Sequence, residues 1–244
     1  MHVATVLVPQ GAEYQAVCRG LQRVAKSRQP NIIAIPAGPG AVSQFLQDNT
    51  SLTQTSEVSL LLGLAGSLDT GYGVGDRVIT TTCIQGYSTA NQAAQQDVSP
   101  APEVAISLIT NPITNSITDP ISNPITHSVA TPQALLNWLT TRLPDAQSGR
   151  TLTTDRMLHL AAEKQQAGQA WSAQVVEMEG WPLLSHYQQQ GWAIAMVRVI
   201  SDDCSADLPD LSSAIGADGT INAWSTAIAM LRYPPGAWRL IQGS

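Results

Sequence analysis

The 244-residue sequence is poor in charge, in cysteine, in phenylalanine and in long apolar runs, and each shortage removes a class of protein. Charged side chains make up 12% of the chain, about half of the roughly 25% common in soluble domains. Its 12 basic and 18 acidic side chains leave a net charge of −6. No lysine or arginine run is present that could track a phosphate backbone, which argues against nucleic acid as a partner. The cysteines Cys18, Cys83 and Cys204 are odd in number and far apart, so neither a disulfide framework nor a metal site is expected, and a reducing compartment fits. The first apolar run, Val3 to Val8, is shorter than a signal-peptide core and far below the roughly 20 residues of a membrane span. A cytoplasmic protein is therefore expected. With one Phe and five Tyr, half of the aromatic residues are the six Trp.

What is present has the pattern of one α/β domain spanning residues 1–244, a length that buries a sizeable core. Short β-branched runs at Val3 to Val8, Ile32 to Ile35, Leu60 to Leu64, Arg77 to Thr82 and Ile194 to Ile200 predict strands of a buried sheet. Helical spacing of apolar residues appears at Gln15 to Ser27, Ala41 to Gln47, Pro132 to Arg142, Asp155 to Ala167 and Ile221 to Leu231. Strands alternating with helices predict a three-layer αβα sandwich around a central mixed β-sheet. From Asn111 to Ser128 the chain repeats Pro or Ser, Ile, Thr or Ser and a polar residue, and recurrent proline suits neither helix nor central strand. This stretch reads as the heart of a low-complexity loop inserted at about 98–130.

The candidate chemistry lies in four places. In Ile194-Ala195-Met196-Val197-Arg198-Val199-Ile200-Ser201-Asp202-Asp203 an apolar strand carries one arginine and ends on two carboxylates, where ligands of open α/β sheets gather. Arg198 inside such a run requires an anionic or polar partner, which either a binding site or a structural ion pair would supply. In Val175-Val176-Glu177-Met178-Glu179-Gly180-Trp181-Pro182, Pro182 fits the first turn of a helix ending near Gly191 and puts Glu179 at its amino end. There the helix dipole favours the ionised carboxylate, as an acceptor in a site or as a helix cap. Gly38-Pro39-Gly40 and Gly63-Leu64-Ala65-Gly66-Ser67-Leu68-Asp69 read as glycine-rich turns after strands, able to approach an anion or sugar. Glu13 follows the first strand. A dinucleotide-binding fold is disfavoured because no G-x-G-x-x-G follows that strand.

Taken in order, these segments resemble the purine nucleoside phosphorylase superfamily, and in particular the methylthioadenosine/S-adenosylhomocysteine nucleosidases. The resemblance rests on Glu13, Gly38-Pro39-Gly40, GLAGSLD at 63–69, VGD at 74–76, Glu163-Lys164, VEMEG at 176–180 and VRVISD at 197–202. Ala206-Asp207-Leu208-Pro209, Asp218-Gly219-Thr220-Ile221 and Leu231-Arg232-Tyr233-Pro234 look like the C-terminal pattern of its hopanoid-associated phosphorylase branch. The resemblance implies cleavage of the bond between ribose and a purine base, either by water or by phosphate, with no cofactor beyond phosphate as a co-substrate. It implies Asp202 as proton donor to the base, Glu179 as acceptor of the ribose hydroxyls, and Glu13 as the group that activates water or binds near the ribose. Met178 would pack on the ribose, Arg198 would orient the site or meet the nucleophile, and Ser201, Ala65, Gly66, Gly38 and Gly40 would line the substrate. A nucleoside partner and a homodimer are expected on the same ground. Leu64 stands where related nucleosidases often carry Ser or Thr, and Val8-Pro9-Gln10-Gly11 lacks the arginine-bearing phosphate loop of the hexameric phosphorylases. Both departures leave the choice between water and phosphate open, and Leu64 together with the inserted loop leaves a nucleoside-binding relative without turnover as the alternative.

Overall fold

The computed structural model describes residues 1–49, 58–86 and 127–208. In chain order they form β1 (Val3–Pro9), α1 (Ala12–Leu21), β2 (Asn31–Ile35), α2 (Pro39–Asp48), β3 (Val58–Ser67), β4 (Arg77–Gln85), β5 (Ser128–Ala130), α3 (Gln133–Arg142), β6 (Gln147–Thr153), α4 (Ala161–Trp171), β7 (Val175–Glu177), α5 (Gly180–Gln189) and β8 (Ile194–Asp202). The five expected strands lie within β1 to β4 and β8. Of the segment read as an inserted loop, residues 98–126 lie outside the described residues, as does the helix expected at Ile221 to Leu231, while Ser128–Ala130 pairs with the end of β4. Among the described residues no helix is long and apolar enough to cross a membrane.

The strands make one mixed sheet with helices against it. β2, β1 and β3 run parallel, β3 continues parallel to β8, and β8 meets β4 antiparallel. From there the sheet does not stay open. β4 pairs parallel with β6, β6 with β7, and the short β7 returns antiparallel to the end of β3, at Gly66 opposite Val176 and Ser67 opposite Val175. Five strands thus close a ring, where the sequence predicts the flat middle layer of a sandwich. The cause lies in register breaks between Ala65 and Gly66 on β3 and between Thr80 and Thr82 on β4. Such bulges bend a strand and increase its twist, so each long strand leaves one neighbour and reaches another. Closure brings Ala65, Val78, Val175 and Ile200, one from each of four ring strands, into a single buried cluster.

Beyond the ring the layered expectation holds locally. Alternation along β8 sends Ile194 and Met196 to Leu183, Leu184 and Tyr187 of α5, and Ala195 and Val197 to Leu135 and Leu139 of α3. Both faces are apolar, as a central strand requires. α4 starts at Ala161, six residues later than its apolar spacing suggests, because the Ala161 N–H is capped from afar by Asp207 Oδ1 at 2.8 Å. Residues 155–160 are thereby left as a loop, and they become part of a cavity wall.

Candidate active site

Where β3, β7 and β8 end, a cavity of about 190 Å³ opens, lined among others by Glu13, Leu64, Ala65, Gly66, Met178, Glu179, Ser201 and Asp202. Glu13 comes from the first turn of α1, Glu179 from the residue that caps α5, and Asp202 from the last position of β8. Three carboxyls remote in sequence therefore face one hollow.

Behind it, and reaching its wall through Glu177 and Glu179, is a buried charge cluster. Arg198 on β8 is fully shielded from solvent, and its Nη2 contacts Glu177 Oε2 and lies 3.3 Å from Glu179 Oε2. Burial alone would weaken its hold on a proton, but Glu177, Glu179 and Glu13 more than offset that and keep it a cation. The partner demanded by an arginine in an apolar strand is thus carboxylate. Arg198 does not line the cavity, so it orients the acids from behind and has no direct access to a nucleophile.

Glu177, which the sequence reading left without a role, is the hub. Its Oε1 accepts the Thr153 hydroxyl at 2.5 Å, and its Oε2 accepts the backbone N–H groups of Glu179 at 2.9 Å and Gly180 at 2.7 Å besides the arginine. It is therefore Glu177, not Glu179, that satisfies the free donors at the start of α5. The available signal was spacing: in Val175-Val176-Glu177 all three residues are buried, and a carboxylate closing such a run must be fully paired.

Both carboxyls line the cavity, but with the oxygens of Glu177 engaged by Thr153, Arg198 and the α5 amides, Glu179 is the one with capacity for a ligand. It takes the Gly38 N–H on Oε1 at 3.1 Å, and Gly38 can present that N–H because it holds φ +89°, a conformation suited to glycine. Burial pushes the Glu179 carboxyl up to about 7, helped by Glu177 and Glu13 and opposed by Arg198 and the Gly38 N–H. The sequence reading has the α5 dipole hold this group ionised; in the structure burial outweighs the dipole. Glu13 is likewise raised by burial, against the pull of Arg198 and of the Leu64 N–H, which donates to its Oε2 at 3.2 Å.

The segment Gly63–Ser67 is strand, not the turn expected from its glycines. Its glycines make room for charges. A β-carbon at position 66 would stand 2.9 Å from Asp202 Oδ2, and one at position 63 would stand 2.7 Å from Glu13 Oε2 and collide with the Arg198 guanidinium. Asp202 itself receives the Ser201 hydroxyl on Oδ1 at 2.7 Å and pairs through Oδ2 with the ammonium of Lys164.

Two expected substrate contacts lie elsewhere. Gly40, in the first turn of α2, belongs to a separate cavity of about 530 Å³ between α2 and α5, which also holds Trp181. The helix begins at Pro39 and carries Gly40 away from the carboxyls. Gly38 is buried beneath Glu179 and does not line the carboxyl cavity. Conversely Thr154, Arg156, Met157 and Leu158 also wall the cavity, although the sequence, which reads as helix from Asp155 to Ala167, gives them no role. Arg156 pairs with Glu163. Among the described residues no group of three or more His, Cys, Asp or Glu side chains is arranged to hold a metal ion, and the three cysteines are free thiols.

Comparison with known proteins identifies the family and the fold. A family model described as the phosphorylase superfamily matches residues 31–231. No curated protein matches the chain. Helicobacter pylori 5′-methylthioadenosine/S-adenosylhomocysteine nucleosidase, solved with butyl-thio-DADMe-Immucillin-A, has a TM-score of 0.59 at 16% identity, over 96% of this chain and 97% of that one. Native futalosine hydrolase of the same organism gives 0.59 at 15% identity, over 100% and 98%. The S-adenosylhomocysteine nucleosidase of Streptococcus pyogenes gives 0.58 at 13%, over 100% and 95%. At these identities the solved structures speak for the fold. The family model extends from β2 past the last described strand, and on that match the chain belongs to the phosphorylase superfamily.

Proposed function

We propose that the protein cleaves the N-ribosidic bond of an adenosyl-type purine nucleoside by hydrolysis and releases the free base. The observation that carries the reading is the meeting of Glu13, Glu179 and Asp202 in one small cavity. Breaking this bond builds positive charge on the sugar and negative charge on the departing base, as in glycoside hydrolysis. Glu179, once ionised, accepts the ribose hydroxyls and stabilises the ribosyl cation, and Met178 beside it packs against the sugar. Glu13, its affinity for protons raised by burial, takes a proton from the attacking water. Asp202, which lines the same cavity, delivers a proton to the leaving base.

Water is favoured over phosphate by charge. The cavity is walled by carboxyls, Arg198 is wholly buried and engaged with Glu177 and Glu179, and Arg156 is engaged with Glu163. A phosphate dianion would enter against that field. The test is incubation with methylthioadenosine, adenosylhomocysteine, inosine and an adenosylated lipid, with and without phosphate, followed by assay of the free base. Base release without phosphate is the expected result. Release only with phosphate identifies a phosphorylase, and tight binding without release identifies a nucleoside-binding relative and overturns the enzyme reading.

A further inference from the structure

Helix α4 sends one side chain into the buried interior, and that side chain is a lysine. Lys164 has no solvent exposure. Taking an ammonium out of water costs several kcal/mol even after relaxation, whereas an apolar side chain would pack at such a position without that cost. The expense is compensated at one place. Lys164 Nζ contacts Asp202 Oδ2 and lies 3.1 Å from the Asp203 carbonyl oxygen, while Ser201 Oγ donates to Asp202 Oδ1. Asp202 is only half-buried and lines the cavity. The carboxyl that faces the cavity thus carries its own cation on the side away from it.

An ionised carboxylate beside a base that is gaining negative charge would oppose bond cleavage. The ammonium paired with Asp202 holds a proton within reach of that carboxyl. We propose that Lys164 is the proton store behind Asp202, a positioning residue that acts on the leaving base only through that carboxyl; this rests on the hydrolytic reading above. As the C–N bond breaks, its electron pair passes to the base. One proton moves from Lys164 Nζ to Asp202 Oδ2 and from there to the base nitrogen. The base leaves neutral, and Lys164 remains as an amine beside the Asp202 carboxylate. The proton that Glu13 removes from the attacking water is the one that solvent returns to Lys164, so the cycle consumes one water and no other reagent.

The test compares two leaving groups on the full-length protein. One is the purine nucleoside cleaved in the phosphate-free assay; the other is 4-nitrophenyl riboside, whose nitrophenolate departs without needing a proton. Lys164→Met is expected to lower kcat on the purine nucleoside by about 10²-fold or more, the range of a lost proton donor, with KM little changed and the nitrophenyl substrate almost unaffected. Lys164→Arg is expected to fail similarly, because guanidinium keeps the charge but does not yield its proton. Lys164→Ala is expected to regain purine cleavage with added ethylamine or propylamine. Equal losses on both substrates, or full activity in Lys164→Arg, would overturn the proposal and leave Lys164 as a structural counter-charge. Should Lys164→Met not fold, the arginine variant carries the comparison. A wild-type protein that releases no base from any nucleoside defeats the hydrolytic reading itself, a result distinct from the variant pattern.

Discussion

Replacing Glu179 with glutamine should stabilise the protein at alkaline pH, and the size of the gain follows from where that carboxyl sits. Burial raises it from an ordinary value of 4.5 to about 7. The folded state therefore binds this proton more tightly than the unfolded chain does. Between those two values the unfolded carboxyl has already ionised while the folded one has not, so stability falls as pH rises, and the loss is complete above about 7. At about 1.36 kcal/mol per pH unit the difference corresponds to about 3 kcal/mol, borne by the wild type and absent from Glu179→Gln. Urea denaturation of both proteins from pH 4.5 to 8 measures it, with constant m-values showing that the same transition is followed. Glu13 is raised by burial in both proteins and also contributes to the Glu179 shift, so the gap between the two curves reports Glu179 together with its coupling to that neighbour. The expected gap opens in favour of the variant by about 3 kcal/mol as pH rises; parallel curves would refute the claim that burial governs this carboxyl. A variant more stable yet inactive is the trade expected of a group held in a costly state for chemistry.

Other consequences are equally direct. Because Glu179 accepts ribose hydroxyls as a carboxylate, kcat/KM should climb through pH 7 in the wild type; a profile flat from pH 5.5 to 8.5 rejects that role. Asp202→Asn should lower turnover by at least about 10²-fold while nucleoside binding by calorimetry is largely kept, and normal turnover would remove Asp202 from the mechanism. Arg198→Met leaves Glu177 and Glu179 buried without their cation, which should destabilise the fold by about 3–5 kcal/mol in chemical denaturation; a loss below about 1 kcal/mol means the guanidinium is not what holds the two acids in place. Gly66→Ala puts a β-carbon 2.9 Å from Asp202 Oδ2, and the displaced carboxyl should cost roughly 10²-fold in rate with little change in melting temperature.

Strands whose apolar runs are long or β-branched were legible in the sequence, because burial on both faces leaves an unbroken signal, as at Val3 to Val8 and Ile194 to Ile200. β6 was not, since Gln147-Ser148-Gly149-Arg150 offers little apolar pattern and its burial depends on neighbours distant in the chain. The ring was also invisible, as it depends on two bulges that no local pattern marks. Within the cavity, Glu179 and Asp202 stand out because carboxylates at the ends of helices and strands are conspicuous, whereas Glu13 is singled out only by the family resemblance. Glu177 and Lys164 were harder to find, since their importance is a matter of who stands beside them. Glycine was the instructive error: at positions 63 and 66 it makes space for guanidinium and carboxylate within a strand, and in one dimension such space looks like a turn.

The sharing of Glu177 between the first N–H groups of α5 and the Arg198 guanidinium ties the start of that helix to the placement of the cation. Fraying of that helix by a single turn would release the acid from its amides and leave the cation beneath the pocket to drift. Amide exchange at positions 179 and 180 should therefore report, in real time and with no ligand added, on whether the pocket is assembled.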